Sequence, residues 1–199
     1  MPARQPTLFN SESVPPGFAL RLDFIDEGEE RALVSEIERL EFSRVEMRGG
    51  VAKRRTVHYG WTYGYDARTT QPGVAIPAFL LPLRAKTAEW AGIEADAFAE
   101  ALVTEYPAGA GIGWHRDAPM FGDIIAGVSL LSPCRMKFRP YVSPKDLVAG
   151  RAPRRATHEV ELPERSAYQI AGSARREFEH SIPDTPAARY SITFRTLRT

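Results

Sequence analysis

The chain has 199 residues, 43% of them hydrophobic, with 26 basic and 25 acidic side chains for a net charge of +1. That length suits one globular domain with a real core. The charge balance demands no nucleic acid or membrane surface, so any polyanion contact must come from a local patch. The single cysteine, Cys134, excludes an internal disulfide and a cysteine-built zinc site. With no apolar run near about 18 residues and no leader-like segment, the sequence reads as a soluble, cytoplasmic monomer.

Residues 1–17 are proline-rich and small, and read as a surface arm; residues 18–199 read as one domain. Asp26 followed by Glu29 is a helix-start pattern, and Leu33, Val34, Ile37 and Leu40 fall on one helical face. Between Arg44 and Arg55, the basic residues Arg44, Arg48, Lys53, Arg54 and Arg55 face Glu46 alone. Such a hairpin tip could rest on phosphates, or could be charge that keeps an edge strand from unwanted pairing.

The run Val57 to Tyr65 follows, and strict alternation would put Tyr59, Trp61, Tyr63 and Tyr65 on one strand face. Aromatic faces beside a basic patch hold unstacked bases, with stacking contributing ~1–3 kcal/mol per base; an aromatic core strand is the other reading. His58 would face the opposite side, in a structural role. Residues 76–91 predict a second helix with Phe79, Leu80, Leu83, Thr87 and Trp90 inward and Pro82 early. A helical turn over 96–100 and a strand over 101–106 come next.

A glycine-rich loop after Tyr106 leads into Trp114-His115-Arg116-Asp117. On an extended segment His115 and Asp117 leave the same face and can grip one metal ion, with His180 arriving from elsewhere. Two imidazoles and one carboxylate leave open positions suited to Fe(II) chemistry with dioxygen. Strands are predicted over 124–131, 134–139, 157–162 and 166–171, with a turn at 172–176. Cys134 and His158 read as structural residues, while 141–153 reads as a loop, extended by the basic pair Arg154 and Arg155. On the last strand Arg189 and Arg195 share a face, with Tyr190, Ile192 and Phe194 on the other. An arginine fork there can bind a carboxylate through two charge-assisted hydrogen bonds. Short strands divided by Gly/Pro turns, with helices mostly in the first half, predict an α+β, mainly β chain. The expected architecture is a double-stranded β-helix (jelly-roll) core backed by N-terminal-half helices.

From about Phe42 to Arg198, the Tyr-Pro-Ala-Gly run, the H-x-D…H pattern and the R-Y-S-I-T-F-R strand resemble the AlkB family of Fe(II)/2-oxoglutarate dioxygenases. The resemblance implies that His115, Asp117 and His180 bind iron, and that Arg189 and Tyr106 hold the distal carboxylate of 2-oxoglutarate. Arg195 would lie near its iron-bound end. It also implies a nucleotide-recognition lid over about 42–66, where Tyr59-Gly60-Trp61 looks like the family's lid pair and Trp61, Tyr63 and Tyr65 would contact substrate.

The implied activity uses dioxygen to remove N-alkyl groups from the bases of single-stranded DNA or RNA, including tRNA, releasing formaldehyde, succinate and CO2. Two positions depart from the family pattern. Thr104 stands where the family often has Asn, and Pro119 stands where an acidic residue can read an alkylated base. Hydroxylation of a modified tRNA base, hydroxylation of a protein or small molecule, and a jelly-roll that binds without turnover remain alternative readings.

Overall fold

Asp26 starts helix α1 (Glu27–Ile37) because its carboxylate accepts the Glu29 amide while the Glu29 carboxylate accepts the Asp26 amide. Both halves of a capping box are therefore closed. This computed structural model describes residues 14–47, 50–64, 69–149 and 157–198. Helix α2 (Leu81–Ala91) follows a 3-10 turn over Ala78–Leu80, with Pro82 in its first turn, where a missing N–H forfeits no helical bond. Leu33, Ile37, Leu80, Leu83 and Thr87 are buried, and Val34, Leu40, Phe79 and Trp90 pack beside them. The inward faces read from the periodicity are the faces the helices bury.

Twelve strands pair antiparallel among the described residues. The larger sheet holds β1 (Phe18–Arg21), β2 (Ser43–Met47), β3 (Gly50–Gly64), β4 (Thr69–Pro72), β5 (Phe98–Tyr106), β7 (Phe121–Leu130), β10 (Ala167–Ile170) and β12 (Arg189–Leu197). Its order is β1-β10-β7-β12-β5-β3-β2, with β4 pairing only the far part of β3. The smaller sheet, β6-β11-β8-β9, is built from β6 (Ile112–His115), β8 (Cys134–Pro140), β9 (His158–Leu162) and β11 (Phe178–Ile182). Two short helices, α3 (Pro144–Val148) and α4 (Gly172–Arg176), stand where the sequence predicts a loop and a turn.

The larger sheet carries a core on each face. Ile192, Phe194, Val128 and Val103 pack with the residues of α1 and α2, whereas Met136, Phe138, Val160 and Leu162 of the smaller sheet pack with Ile125, Tyr168 and Ile170. That is the double-stranded β-helix expected from the sequence: two facing sheets, with the helices behind one of them. No helix among the described residues is long and apolar enough to cross a membrane.

Strand β12 shows why its sequence alternates. Ile192 and Phe194 belong to the helix-side core, and the intervening Arg189, Ser191, Thr193 and Arg195 occupy the opposite parity, toward the smaller sheet. Its register on β5 sets Arg189 opposite Tyr106 and Arg195 opposite Glu100. Because six residues separate each pair on both strands, one arginine is delivered to each end of the cavity.

The row of four aromatics on one face does not survive. Gly60 adopts a left-handed backbone (φ 79°), and a side chain there would meet the Ala99 carbonyl oxygen at 2.1 Å. Strand β3 pairs with β5 through Gly60 and with β4 from Trp61 onward. The turn breaks the alternation, so Tyr59 is buried in the helix-side core while Trp61 is 37% exposed. Tyr63 stands on the β4-paired part of the strand. Tyr65, Arg48, Arg154 and Arg155 lie outside the described residues, as do residues 1–13 of the expected arm; Gly17 and Pro16 accept the Ala171 and Ala174 amides.

Candidate metal and co-substrate centre

Register places the two imidazoles. His115, the last residue of β6, lies directly opposite His180 of β11, with ring centroids 4.3 Å apart. Asp117 joins them: its Oδ2 is 3.7 Å from His180 Nε2, and one ligand atom from each of the three falls within 4.8 Å of the others. The His115 Nδ1 lies 2.9 Å from the Gly113 carbonyl oxygen. That contact assigns the proton to Nδ1 and leaves Nε2 for a metal. Gly111 lets this segment approach β11, since a side chain there would stand 2.6 Å from the Ile182 carbonyl oxygen.

Asp117 lies two residues past the end of β6 at His115. The loop beyond is held by Arg175 of α4. Its guanidinium donates to the carbonyl oxygens of Asp117 at 3.4 Å, Ala118 at 3.0 Å, Phe121 at 3.2 Å and Gly122 at 3.3 Å. Nothing in the sequence marks Arg175, whose partners are all main-chain atoms of a distant loop.

Burial sets the protonation of the ligands. Desolvation, reinforced by His115, pushes the His180 imidazole down to about 3, and desolvation also lowers His115. Both rings are thus neutral and able to coordinate at neutral pH. Burial alone would raise the Asp117 carboxyl, but the guanidinium charges of Arg195, foremost, and Arg175 outweigh it and hold Asp117 well below the usual carboxylate range.

Behind Asp117 runs a buried polar chain. Arg195 donates through Nε to Asp117 Oδ1 at 2.9 Å and through Nη1 to Glu100 Oε2 at 2.9 Å. The other Glu100 oxygen, Oε1, lies 3.0 Å from His58 Nδ1 on the lid strand. Glu100 is 1% exposed, so its charge is sustained only by these neighbours. His58 has the structural role expected of it. Glu100 escaped the sequence reading, although it shares strand parity with Tyr106 and is the one acid on that face of β5.

At the other end of the cavity Arg189 lies 5.0 Å from the Tyr106 ring, and desolvation raises the Tyr106 phenol to about 12. One Arg189 nitrogen donates to Ser129 Oγ at 3.0 Å, but Nε and Nη1 have no partner although the residue is 1% exposed. Two orphaned N–H groups on a buried guanidinium are costly unless an anion receives them. A carboxylate fits that fork, and a two-histidine, one-carboxylate face fits an octahedral ferrous ion with positions left open.

The family of 2OG-Fe(II) oxygenases matches residues 30–195. The chain belongs to the 2OG-Fe(II) oxygenase superfamily. It is 29% identical over 191 residues to the Arabidopsis thaliana alkylated DNA repair protein ALKBH8 homolog, covering 89% of this chain and 54% of that one. The chain therefore spans about half the length of that relative.

The solved structure of OsALKBH1 superposes with a TM-score of 0.65 at 14% identity, over 92% of this chain and 99% of that one. A Pseudomonas putida prolyl-4-hydroxylase superposes at 0.61 and 15%, over 92% and 93%. Both share the fold. The oxygenase uses Fe(II), 2-oxoglutarate and dioxygen, and its His-Asp-His cluster is the place where such an ion fits.

Two of the basic residues between Arg44 and Arg55 contact the rest of the protein. Lys53 donates to the Gly109 carbonyl oxygen at 2.9 Å, and Arg55 Nη2 donates to Glu105 Oε1 at 2.9 Å. Both tie the hairpin to the body of the protein. Cys134 is buried in the core between the sheets, where desolvation raises its thiol. His158 packs edge-on against Phe178, away from the triad.

Proposed function

We propose that this oxygenase oxidises an alkyl carbon carried by a base of single-stranded nucleic acid, removing N-alkyl groups as formaldehyde. The observation that carries the reading is the His115-Asp117-His180 cluster together with the orphaned, buried Arg189 fork. In this reading His115, Asp117 and His180 hold Fe(II), while Arg189 and Tyr106 hold the distal carboxylate of 2-oxoglutarate. Arg195 keeps the outer face of Asp117 engaged. When bound, iron, 2-oxoglutarate and dioxygen supply the oxidation of a C–H bond.

The chain's own part is to orient the substrate carbon, keep both imidazoles unprotonated and exclude water from the cavity. An N–CH2OH product then loses formaldehyde without further help, restoring the base. Trp61 stands exposed on the lid strand, where a base can stack on it, and Tyr63 and Tyr65 follow it in the same segment. The relative named for alkylated DNA repair and the AlkB-like fold support a nucleic-acid substrate.

Pro119 favours a second reading, hydroxylation of an uncharged modified base. It lines a cleft with Asp117, at the position where, by the resemblance, a carboxylate would pair with a cationic alkylated base. The two readings part in one assay. Iron-loaded enzyme is incubated with N-methylated single-stranded oligonucleotides and with a panel of modified tRNAs. N-dealkylation releases formaldehyde, abolished in His115→Ala; a stable product heavier by one oxygen with no formaldehyde establishes hydroxylation instead. Turnover of 2-oxoglutarate with neither product on any nucleic acid overturns the substrate class.

A further inference from the structure

Beside the metal cluster, and outside every residue given a role above except Asp117, Pro119 and Arg175, lies a solvent-open cleft of about 250 Å³. Arg116, Arg175, Arg176 and Arg198 line it, against Asp117 and Asp123. The walls come from three separate places in the chain: the stretch from the loop after β6 into the start of β7, α4, and the residue after β12. Their convergence is a property of the fold and not of a local basic run. The rest of the molecule is nearly neutral, so this concentration of cationic groups is the local patch that global charge could not reveal.

The arginines differ in what they have left to offer. Arg175 is committed to four carbonyl oxygens of the metal loop. Arg116 lies flat over the Tyr141 ring at 3.9 Å and donates once, weakly, to the Arg176 carbonyl at 3.3 Å. Arg176 has only the exposed Asp123 at 3.4 Å, a pair that solvent screens. Arg198 makes no ion pair among the described residues. Three guanidinium groups therefore line one solvent-open cleft with N–H donors that water can yield to an anion, next to Asp117. Asp117, which shares the cleft, directs its Oδ1 to Arg195 Nη2 at 2.8 Å. Pro119 adds no acid where the wall could have carried one.

The geometry points to this cleft as the seat of the phosphodiester group that flanks the target base, held by Arg176, Arg198 and Arg116. This rests on the nucleic-acid reading above and deepens it. Planar forks that meet two phosphate oxygens at once suit such a group better than lysines would. A phosphate anchored there fixes the register of the strand, while the base next to it reaches the metal and stacks on the lid. Four arginines against two aspartates make the cleft selective for the anionic backbone of the substrate.

The test measures binding of an N-methylated single-stranded oligonucleotide by full-length enzyme loaded with Co(II) and 2-oxoglutarate, across a range of salt. Each phosphate contact removed lowers the slope of log affinity against log salt by about 0.7 for single strands, which is about fourfold in Kd near 0.15 M. Because one phosphate is shared, Arg176→Ala and Arg198→Ala are each expected to show part of that loss, and together up to about fourfold. Asp123→Asn should tighten binding, a gain that misfolding does not mimic. Co(II) affinity and the thermal midpoint serve as the readouts of an intact fold.

Replacing the single linkage 5′ or 3′ of the methylated base by a neutral methylphosphonate should weaken the wild type, and at one of the two positions should weaken the Arg176→Ala/Arg198→Ala enzyme no further. Losses that add fully at both linkages would overturn the assignment, as would variants with wild-type Kd and salt slope. An acidic peptide bound as tightly, with the same losses, would also overturn it. If wild type turns over 2-oxoglutarate yet binds no oligonucleotide, the nucleic-acid reading itself fails, and the cleft assignment with it.

Discussion

Glu100→Gln is the substitution that best separates a metal-tuning chain from mere packing. Glu100 is 1% exposed and bridges Arg195 Nη1 at 2.9 Å and His58 Nδ1 at 3.0 Å, while Arg195 reaches on to Asp117. Glutamine keeps the shape and one acceptor, so the stability loss is expected to be about 2 kcal/mol, one charged hydrogen bond. Alanine should cost about 3–5 kcal/mol, since it leaves a buried arginine short of a partner.

The more telling change is at the metal. With Glu100 neutral, the Arg195 charge falls wholly on Asp117 and draws electron density from the carboxylate, so affinity for Fe(II) or Co(II) is expected to drop about tenfold. His58→Ala, which cuts the chain at its solvent end, should lower affinity less than Glu100→Gln does. Titration of the metal-free enzyme with Co(II), followed by its visible absorption, measures this alongside thermal melts. A destabilised Glu100→Gln enzyme with wild-type metal affinity would refute the coupling and reduce the chain to a structural ion-pair network.

Arg189→Met should weaken 2-oxoglutarate at least about a hundredfold, since two charge-assisted hydrogen bonds are lost. Without ligand, the same variant should melt no lower than wild type, because it removes an unsatisfied buried guanidinium; a large fall in melting temperature would show that Arg189 is satisfied by the protein. Trp61→Ala is expected to raise KM for oligonucleotide severalfold with little change in thermal midpoint, given that Trp61 is 37% exposed; a large destabilisation would place it in the core.

His180 sits near 3 in the folded protein against an ordinary 6.5. The unfolded chain therefore takes up a proton that the native state refuses. Stability of the metal-free enzyme should be level above pH 6.5 and fall as pH drops toward 3, by up to about 1.4 kcal/mol per pH unit for His180 alone. His115 is shifted the same way and steepens the fall. Chemical denaturation at a series of pH values reads the slope, and a flat profile would show that neither ring is held neutral.

What the linear chain determined is whatever depends on spacing. The capping residues of α1, the buried faces of both helices, and the two faces of β12 follow from periods of 3.6 and 2 that any observer can count. The triad and both arginines of the last strand were legible because each is carried by a short motif. The resemblance supplied their grouping.

What the sequence could not decide were contacts whose partners are far apart or are backbone atoms. Strict alternation put Tyr59 and Trp61 on one face, but the left-handed Gly60 sends one into the core and the other to the surface. Asp117 reaches the metal site because Arg175, some sixty positions later in the chain, gathers four carbonyl oxygens, and main-chain acceptors leave no trace in side-chain identity. Glu100 and Arg195 meet only once the β5–β12 register is set. A sequence fixes the chemistry each side chain can offer; the pairing of strands fixes which offers meet, because the free energy of burying charge depends on neighbours that only tertiary structure brings within reach.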